Sequence, residues 1–219
     1  MNPLNFGGAT SFQRPENPID LREDGYVRPR PAIEYDAIPL DHLRYFRYTH
    51  ARYLLVTTEL VTFLKGIIGT QSALEIGAGA GDLGHALGIK MVDNYCQELP
   101  EVREYYKALG QPPVAYGRDV QKRTANSAVK KWRPDVVIGA WVTHWVDPNL
   151  PLPPGGGNIY GIKEDEILKD CKWYVMIGSE AVHNHKPLMK LPHETIDAHF
   201  VRSRSERDDN KIWIWKGEK

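Results

Sequence analysis

The stretch Leu74-Glu75-Ile76-Gly77-Ala78-Gly79-Ala80-Gly81-Asp82-Leu83-Gly84 decides the reading of this chain. A short apolar run meets glycine at every second position, and a helical pattern follows. Glycine tolerates left-handed backbone angles and leaves no Cβ between the chain and a ligand. The start of the next helix presents free N–H groups. A glycine loop after a strand is therefore a binding-site candidate.

Outward from that loop, the chain alternates. Strand candidates fall at 72–76, 90–93, 113–116, 135–141, 173–177, 199–202 and 211–215. Helical or loop segments at 83–87, 97–109, 124–132 and 163–172 separate most of them. Alternating strands and helices imply parallel strands covered by helices on both faces. Residues 135–141 are apolar on both faces, as a central parallel strand should be. The last two strands are joined by the short polar stretch 203–210, a hairpin connection, so the final strand should run antiparallel.

Upstream, Leu43, Phe46, His50, Leu54, Thr57, Val61 and Leu64 share one helical face. With Asp41 as N-cap and Gly66 as stop, the spacing predicts one helix over 41–66. His50 and Thr57 in that stripe read as packing residues. Residues 1–39 carry Pro3, Pro15, Pro18, Pro29, Pro31 and Pro39 and no regular period. They read as an extended arm, which divides the chain into an arm over 1–40 and a single domain over 41–219. The Pro/Gly-rich segment 147–161 reads as a long irregular loop, a kind that is usually functional or disordered.

Composition narrows the function. The chain has 219 residues, enough to bury a core without disulfides or metals. It has 28 Lys+Arg against 28 Asp+Glu, so there is no positive excess for a general grip on nucleic acid. No apolar run approaches the ~20 residues of a membrane span, and the N-terminus lacks a signal-peptide pattern. Cys96 and Cys171 read as reduced thiols. Together these point to a cytoplasmic protein with no membrane partner. The sequence leaves the oligomeric state undefined.

Two cofactors compete for the glycine loop. Gly79-x-Gly81-x-x-Gly84 has the form of the dinucleotide fingerprint. That fingerprint expects an acid about 20 residues on, at the ribose. The nearest strand-end acid, Asp93, lies only 14 positions after Gly79. Counting from Gly77 puts Asp82 at the third glycine. Glu75 beside the loop would also repel a pyrophosphate.

Glu75-x-Gly77-x-Gly79-x-Gly81 instead resembles motif I of the class I S-adenosylmethionine-dependent methyltransferases. The resemblance implies an α/β, Rossmann-like fold: a mostly parallel seven-stranded sheet with an antiparallel last strand and helices on both faces. It covers most of the chain, from Asp41 to Lys216. It implies S-adenosyl-L-methionine as cofactor, held by Glu75, Gly77, Gly79 and Gly81. Asp93 and the adjacent Asn94, at the end of the second strand, would meet the ribose. Asp119, followed by Val120, would meet the adenine amino group after the third strand. Ala140 would close the site at the end of the fourth. A carboxylate accepting ribose hydroxyls makes charge-assisted hydrogen bonds, stronger than neutral ones.

The family's base-methylation signatures are missing. Residues 139–142 read Gly-Ala-Trp-Val where an Asn/Asp-Pro-Pro-aromatic motif would stand. Neither cysteine sits in a Pro-Cys pair. His144, after the fourth strand, is the candidate general base, with an ordinary pKa suited to neutral pH. Trp141 and Trp145 are candidates to stack on a planar substrate, and Glu180 and His183 to shape its pocket. His183, His185 and His193 have no cysteine or acid to complete a metal site, and no metal is expected. Lys122, Arg123, Lys130, Lys131 and Arg133 form one basic cluster; Arg202, Arg204 and Arg207 form another. They read as solvated faces and leave RNA open as a partner. The expected acceptor is a small molecule or a single exposed group on a macromolecule, not duplex DNA. A catalytically silent binding protein of the same fold is the alternative, since no diagnostic catalytic motif is present.

Overall fold

The computed structural model describes residues 19, 21–151, 157–205 and 207–219. In chain order the elements are α1 (Ala32–Asp36), α2 (Leu40–Thr49), β1 (Leu54–Leu55), α3 (Thr58–Ile68), β2 (Ala73–Ile76), α4 (Asp82–Leu87) and β3 (Lys90–Asp93). Next come α5 (Pro100–Ala108), β4 (Gln121–Lys122), α6 (Ala125–Trp132), β5 (Val136–Ala140), α7 (Glu164–Leu168) and β6 (Trp173–Ser179). The chain closes with α8 (Glu180–His183), β7 (Glu194–Asp197), β8 (Arg202–Ser203) and β9 (Asn210–Lys216).

Seven strands form one sheet in the order β4-β3-β2-β5-β6-β9-β7. β4, β3, β2, β5 and β6 run parallel, and β9 lies antiparallel between β6 and β7. β1 and β8 pair separately as a short antiparallel ribbon. The two-residue period of the central strands sorts side chains to opposite faces. Val137, Tyr174 and Met176 pack with Ala128 and Val129 of α6 and with Ile167 of α7. Val136, Ile138, Val175 and Ile177 pack with Leu60 and Leu64 of α3 and with Leu83 of α4. The seven-stranded α/β sheet with helices on both faces is therefore the architecture that the sequence implied.

Several boundaries differ. The helix expected over 41–66 is two helices, because Ala51 takes a left-handed φ of 49° and breaks the run. Thr57 then caps α3 by accepting the Leu60 N–H at 3.1 Å, and Gly69, not Gly66, ends it. Asp41 sits in the first turn of α2, after its N-cap Pro39. The strand expected at 113–116 is unpaired. Pro113 has no N–H to give a ladder, and the Val114 N–H goes to Gln97 Oε1 at 2.8 Å. The third parallel strand is Gln121–Lys122, two exposed polar residues at the sheet edge. The sixth is Glu194–Asp197, also at an edge; 199–202 contributes only Arg202, to the ribbon with β1.

Within the expected arm, residues 1–18 and 20 lie outside the described residues. The remainder packs on the domain: Ile19, Val27 and Tyr35 form a buried cluster with Leu43, Phe46 and Leu55. Part of the 147–161 loop, 152–156, also lies outside them. Its return limb is tied down by bridges His144–Ile162 and Trp145–Asn158.

Candidate functional site

The carboxyl ends of the parallel strands open into one cavity of about 540 Å³. Its position, where the chain leaves β2 for β3 on one side and β5 lies on the other, is the switch point at which open α/β sheets bind ligands. The glycine loop forms its floor. Gly77, Gly79 and Gly81 take φ of 60°, 53° and 78°, angles that side-chain-bearing residues rarely adopt. A Cβ at Gly77 would come within 2.8 Å of Val142, and one at Gly81 within 2.8 Å of Val120. At Gly79 the nearest neighbour would be Val114 at 3.5 Å, so there the angle alone demands glycine.

Three carboxylates surround the loop. Glu75 is buried and accepts the Gly84 N–H at 2.8 Å. Gly84 makes room for it, since a Cβ there would stand 2.5 Å from Glu75 Oε2. Burial, with Asp82 and Asp93 adding to it, pushes the Glu75 carboxyl up to about 8, against the pull of the Gly84 N–H. Asp93 accepts the N–H groups of Gly79 at 2.9 Å and Tyr95 at 3.0 Å, clamping the loop onto the end of β3. Its pKa is raised by burial. Asp82 accepts the Val27 N–H at 2.9 Å and pairs with Arg52 at 2.8 Å. Burial raises its pKa, and Arg52 pulls against that.

The structure brings Glu75, Gly77, Gly79, Gly81, Asp93, Asn94, Ala140 and Trp141 to the cavity wall. Asn94 also ties in the return limb of the long loop, donating to the Tyr160 carbonyl at 2.7 Å. The other candidates lie elsewhere. Because the third strand is 121–122, Asp119 precedes it rather than following it. Asp119 sits outside the cavity and accepts the Tyr26 hydroxyl at 3.1 Å. Val120 is buried beneath Gly81. Thr124 and Asn126, just past β4, occupy the wall that Asp119 was expected to occupy.

His144 is 6% exposed and not part of the wall. It lies under the long loop, where a Cβ on Gly157 would be 2.9 Å from Nε2. Burial lowers its pKa, helped by Lys186. Trp145 is also off the wall, with Lys163 Nζ 4.4 Å over its ring. His183 accepts the Ser179 N–H at 3.0 Å, and burial drives its pKa down to about 4, so it stays neutral. Glu180 is exposed, 3.6 Å from Lys211. Beyond these, the wall includes Arg52, Tyr53, Asp82, Tyr95, Cys96 and Tyr106. Only Asp82, inside the quoted glycine stretch, had a signal in the sequence. Cys96 and Cys171 are both free thiols. Among the described residues no group of three His, Cys, Asp or Glu is arranged to hold a metal ion. No helix among them is long and apolar enough to cross a membrane.

A parallel sheet with one antiparallel strand inserted next to its edge, and a glycine loop after β2, is the arrangement the sequence resemblance implied; of its three expected acids, Glu75 and Asp93 line the cavity and Asp119 does not. The chain has the seven-stranded Rossmann-like fold that this resemblance implied. No protein-family model matches the sequence, and no curated protein matches it significantly. Among solved structures, an rRNA methylase from Streptococcus thermophilus is similar at 10% identity and a TM-score of 0.39, over 73% of this chain and 94% of that one. TehB from Haemophilus influenzae is similar at 11% identity and a TM-score of 0.38, over 78% and 66%. The Thermoplasma acidophilum protein 1320 is similar at 16% identity and a TM-score of 0.37, over 72% and 84%.

Proposed function

We propose that the chain binds S-adenosylmethionine in the glycine-loop cavity and is a methyltransferase. The observation that carries this reading is the donor set. Glu75, Asp82 and Asp93 converge on a loop whose left-handed glycines leave the backbone open to a ligand. Such a set suits a ligand with a cationic end and a pair of hydroxyls. It opposes a pyrophosphate, which carries its negative charge at this place in dinucleotide sites.

In that reading Asp93 takes the ribose hydroxyls, and Glu75 faces the positively charged end of the cofactor. When bound, the cofactor supplies an electrophilic methyl group. The chain contributes position: the loop clamped by Asp93, and a wall at Tyr53 and Trp141 for the acceptor. Proximity and alignment carry most of the rate. With no net positive charge to grip duplex phosphates, the protein takes a small molecule or one exposed group of a macromolecule, not duplex DNA. We place it in the cytoplasm on the strength of its two free thiols. One observation favours a silent binder of the same cofactor: His144, the sequence's candidate base, does not reach the cavity. Incubation with methyl-labelled S-adenosylmethionine and a fractionated extract separates the two. Label transferred to an acceptor supports the enzyme, and cofactor binding with no transfer to any fraction supports the silent reading.

A further inference from the structure

The cavity has two unlike walls. On the loop side every carboxylate is engaged: Glu75 by Gly84, Asp93 by Gly79 and Tyr95, Asp82 by Val27 and Arg52. A second part of the wall, built from the turn after α2, from α5 and from the residue after β5, is aromatic. Tyr53, Tyr106 and Trp141 line it. The Tyr53 and Trp141 rings lie 6.1 Å apart, tilted by 39°. The Arg204 guanidinium, which is not part of this wall, stacks 3.8 Å over Tyr53 and holds that ring. Trp141 takes a φ of 57°, an angle a bulky residue rarely adopts and one that marks a position over-determined by its surroundings.

Among the described residues this aromatic wall contains no carboxylate and no imidazole. Tyr106 on this wall and Cys96 beside it hold their protons near neutrality. Burial pushes the Tyr106 phenol far up, with Tyr53 beside it adding to the shift. Burial likewise pushes the neighbouring Cys96 thiol up to about 11. An acceptor that must lose a proton before or during attack finds nothing on this wall to take it.

We propose that the acceptor is a planar nitrogen heteroaromatic ring that attacks through an unprotonated ring nitrogen. This rests on the reading of the cavity as an S-adenosylmethionine site. The nitrogen lone pair forms the new N–CH₃ bond as the S–CH₃ bond breaks, and the electrons of that bond remain on sulfur. No proton leaves, so no base is required. The ring nitrogen gains the positive charge, beside aromatic faces that attract cations. Flat rings also gain from stacking between aromatic side chains. Tyr53 is then a specificity-determining residue.

The test uses three probes. Quinoline offers a free ring nitrogen. 1-Naphthol has the same flat shape but a hydroxyl that must be deprotonated. Cyclohexylamine is neither flat nor unprotonated. Binding is measured by calorimetry on protein saturated with S-adenosylhomocysteine, and products by mass spectrometry with S-adenosylmethionine. Quinoline should bind and give N-methylquinolinium, and 1-naphthol should bind without being methylated. Tyr53→Leu should weaken quinoline about tenfold, Tyr53→Phe should restore it, and S-adenosylhomocysteine affinity should not move. Quinoline that fails to bind or to be methylated, or whose binding ignores Tyr53→Leu, overturns the acceptor class, as does methylation of either other probe. In those cases the methyltransferase reading stands if S-adenosylmethionine still binds. Protein that does not bind S-adenosylmethionine at all removes the reading itself, and this inference with it.

Discussion

Two buried polar centres sit on the same sheet and do opposite things. At the end of β2 and β3, Glu75, Asp82 and Asp93 crowd together, held mainly by backbone N–H groups, with Arg52 as the one cation paired to them. Under the ends of β5 and β6, Glu164 and Lys186 are each 4% exposed and pair at 2.8 Å. The Tyr174 hydroxyl donates to the same carboxylate at 2.7 Å. The second centre cancels its own charge and is not part of the glycine-loop cavity wall. The first sets three acids against one cation and opens onto that cavity. A buried charge that is matched reads as structure, whereas a buried excess beside a cavity reads as a ligand's place. His144 and His183 belong by location to the second centre, which is why the candidate base fails to reach the site.

Breaking each centre should therefore have a different signature. Lys186→Met leaves Glu164 buried and uncompensated. It should cost about 3–5 kcal/mol in a denaturant melt. Adding Glu164→Gln should recover a large part of that loss. Cofactor affinity, measured where the variant is folded, should stay put; a large loss of affinity would mean that the two centres are not separate.

At the first centre the order should reverse. Gly79→Val forces a β-branched residue to a φ of 53° in the cavity wall. A circular dichroism melt should show a loss of about 1–3 kcal/mol, while a titration shows cofactor binding abolished. Normal binding by this variant would remove the loop from the site. Asp93→Ala should cost about 1.5–3 kcal/mol of cofactor binding, read as a shift in Kd. An unchanged Kd would take Asp93 out of ribose recognition.

The raised Glu75 carboxyl gives the comparison a pH axis. Its folded pKa of about 8 stands above the ordinary 4.5, so the folded chain holds a proton that the unfolded chain has lost between those values. Stability contributed by the protonated group is full below about 4.5 and is lost as pH rises towards 8. A cationic ligand acts in the opposite sense, because it favours ionised Glu75. S-adenosylmethionine should then bind more tightly as pH rises from about 6 to 8, by up to about tenfold per unit, with proton release seen in calorimetry. Glu75→Gln should flatten that slope. A slope unchanged in the variant would assign the linkage to another group. The smallest effect is expected at His144→Gln, which should leave cofactor affinity unaltered and lower stability only.

What could be read from the sequence tracks where local physics is decisive. The glycine loop, Glu75 and Asp93 were legible because alternating glycines and strand-end acids leave a local pattern. The central strands were legible because both their faces are apolar. Gln121–Lys122 was not, since an exposed two-residue edge strand carries no hydrophobic period. The misplaced third strand then misplaced Asp119. The single long helix failed because the break at Ala51 lies inside a stripe whose spacing continues across it. Arg52, Tyr53 and Tyr106 reach the cavity through tertiary packing of the turn after α2 and of α5, for which spacing gives no signal.

The central claim is that the excess of acids over cations around the glycine loop is matched to S-adenosylmethionine. Calorimetric titration of the full chain with S-adenosylmethionine and, separately, with NAD tests it most directly. The account predicts saturable one-to-one binding of S-adenosylmethionine near pH 8 and no binding of NAD. Tight NAD binding with no response to S-adenosylmethionine would contradict it.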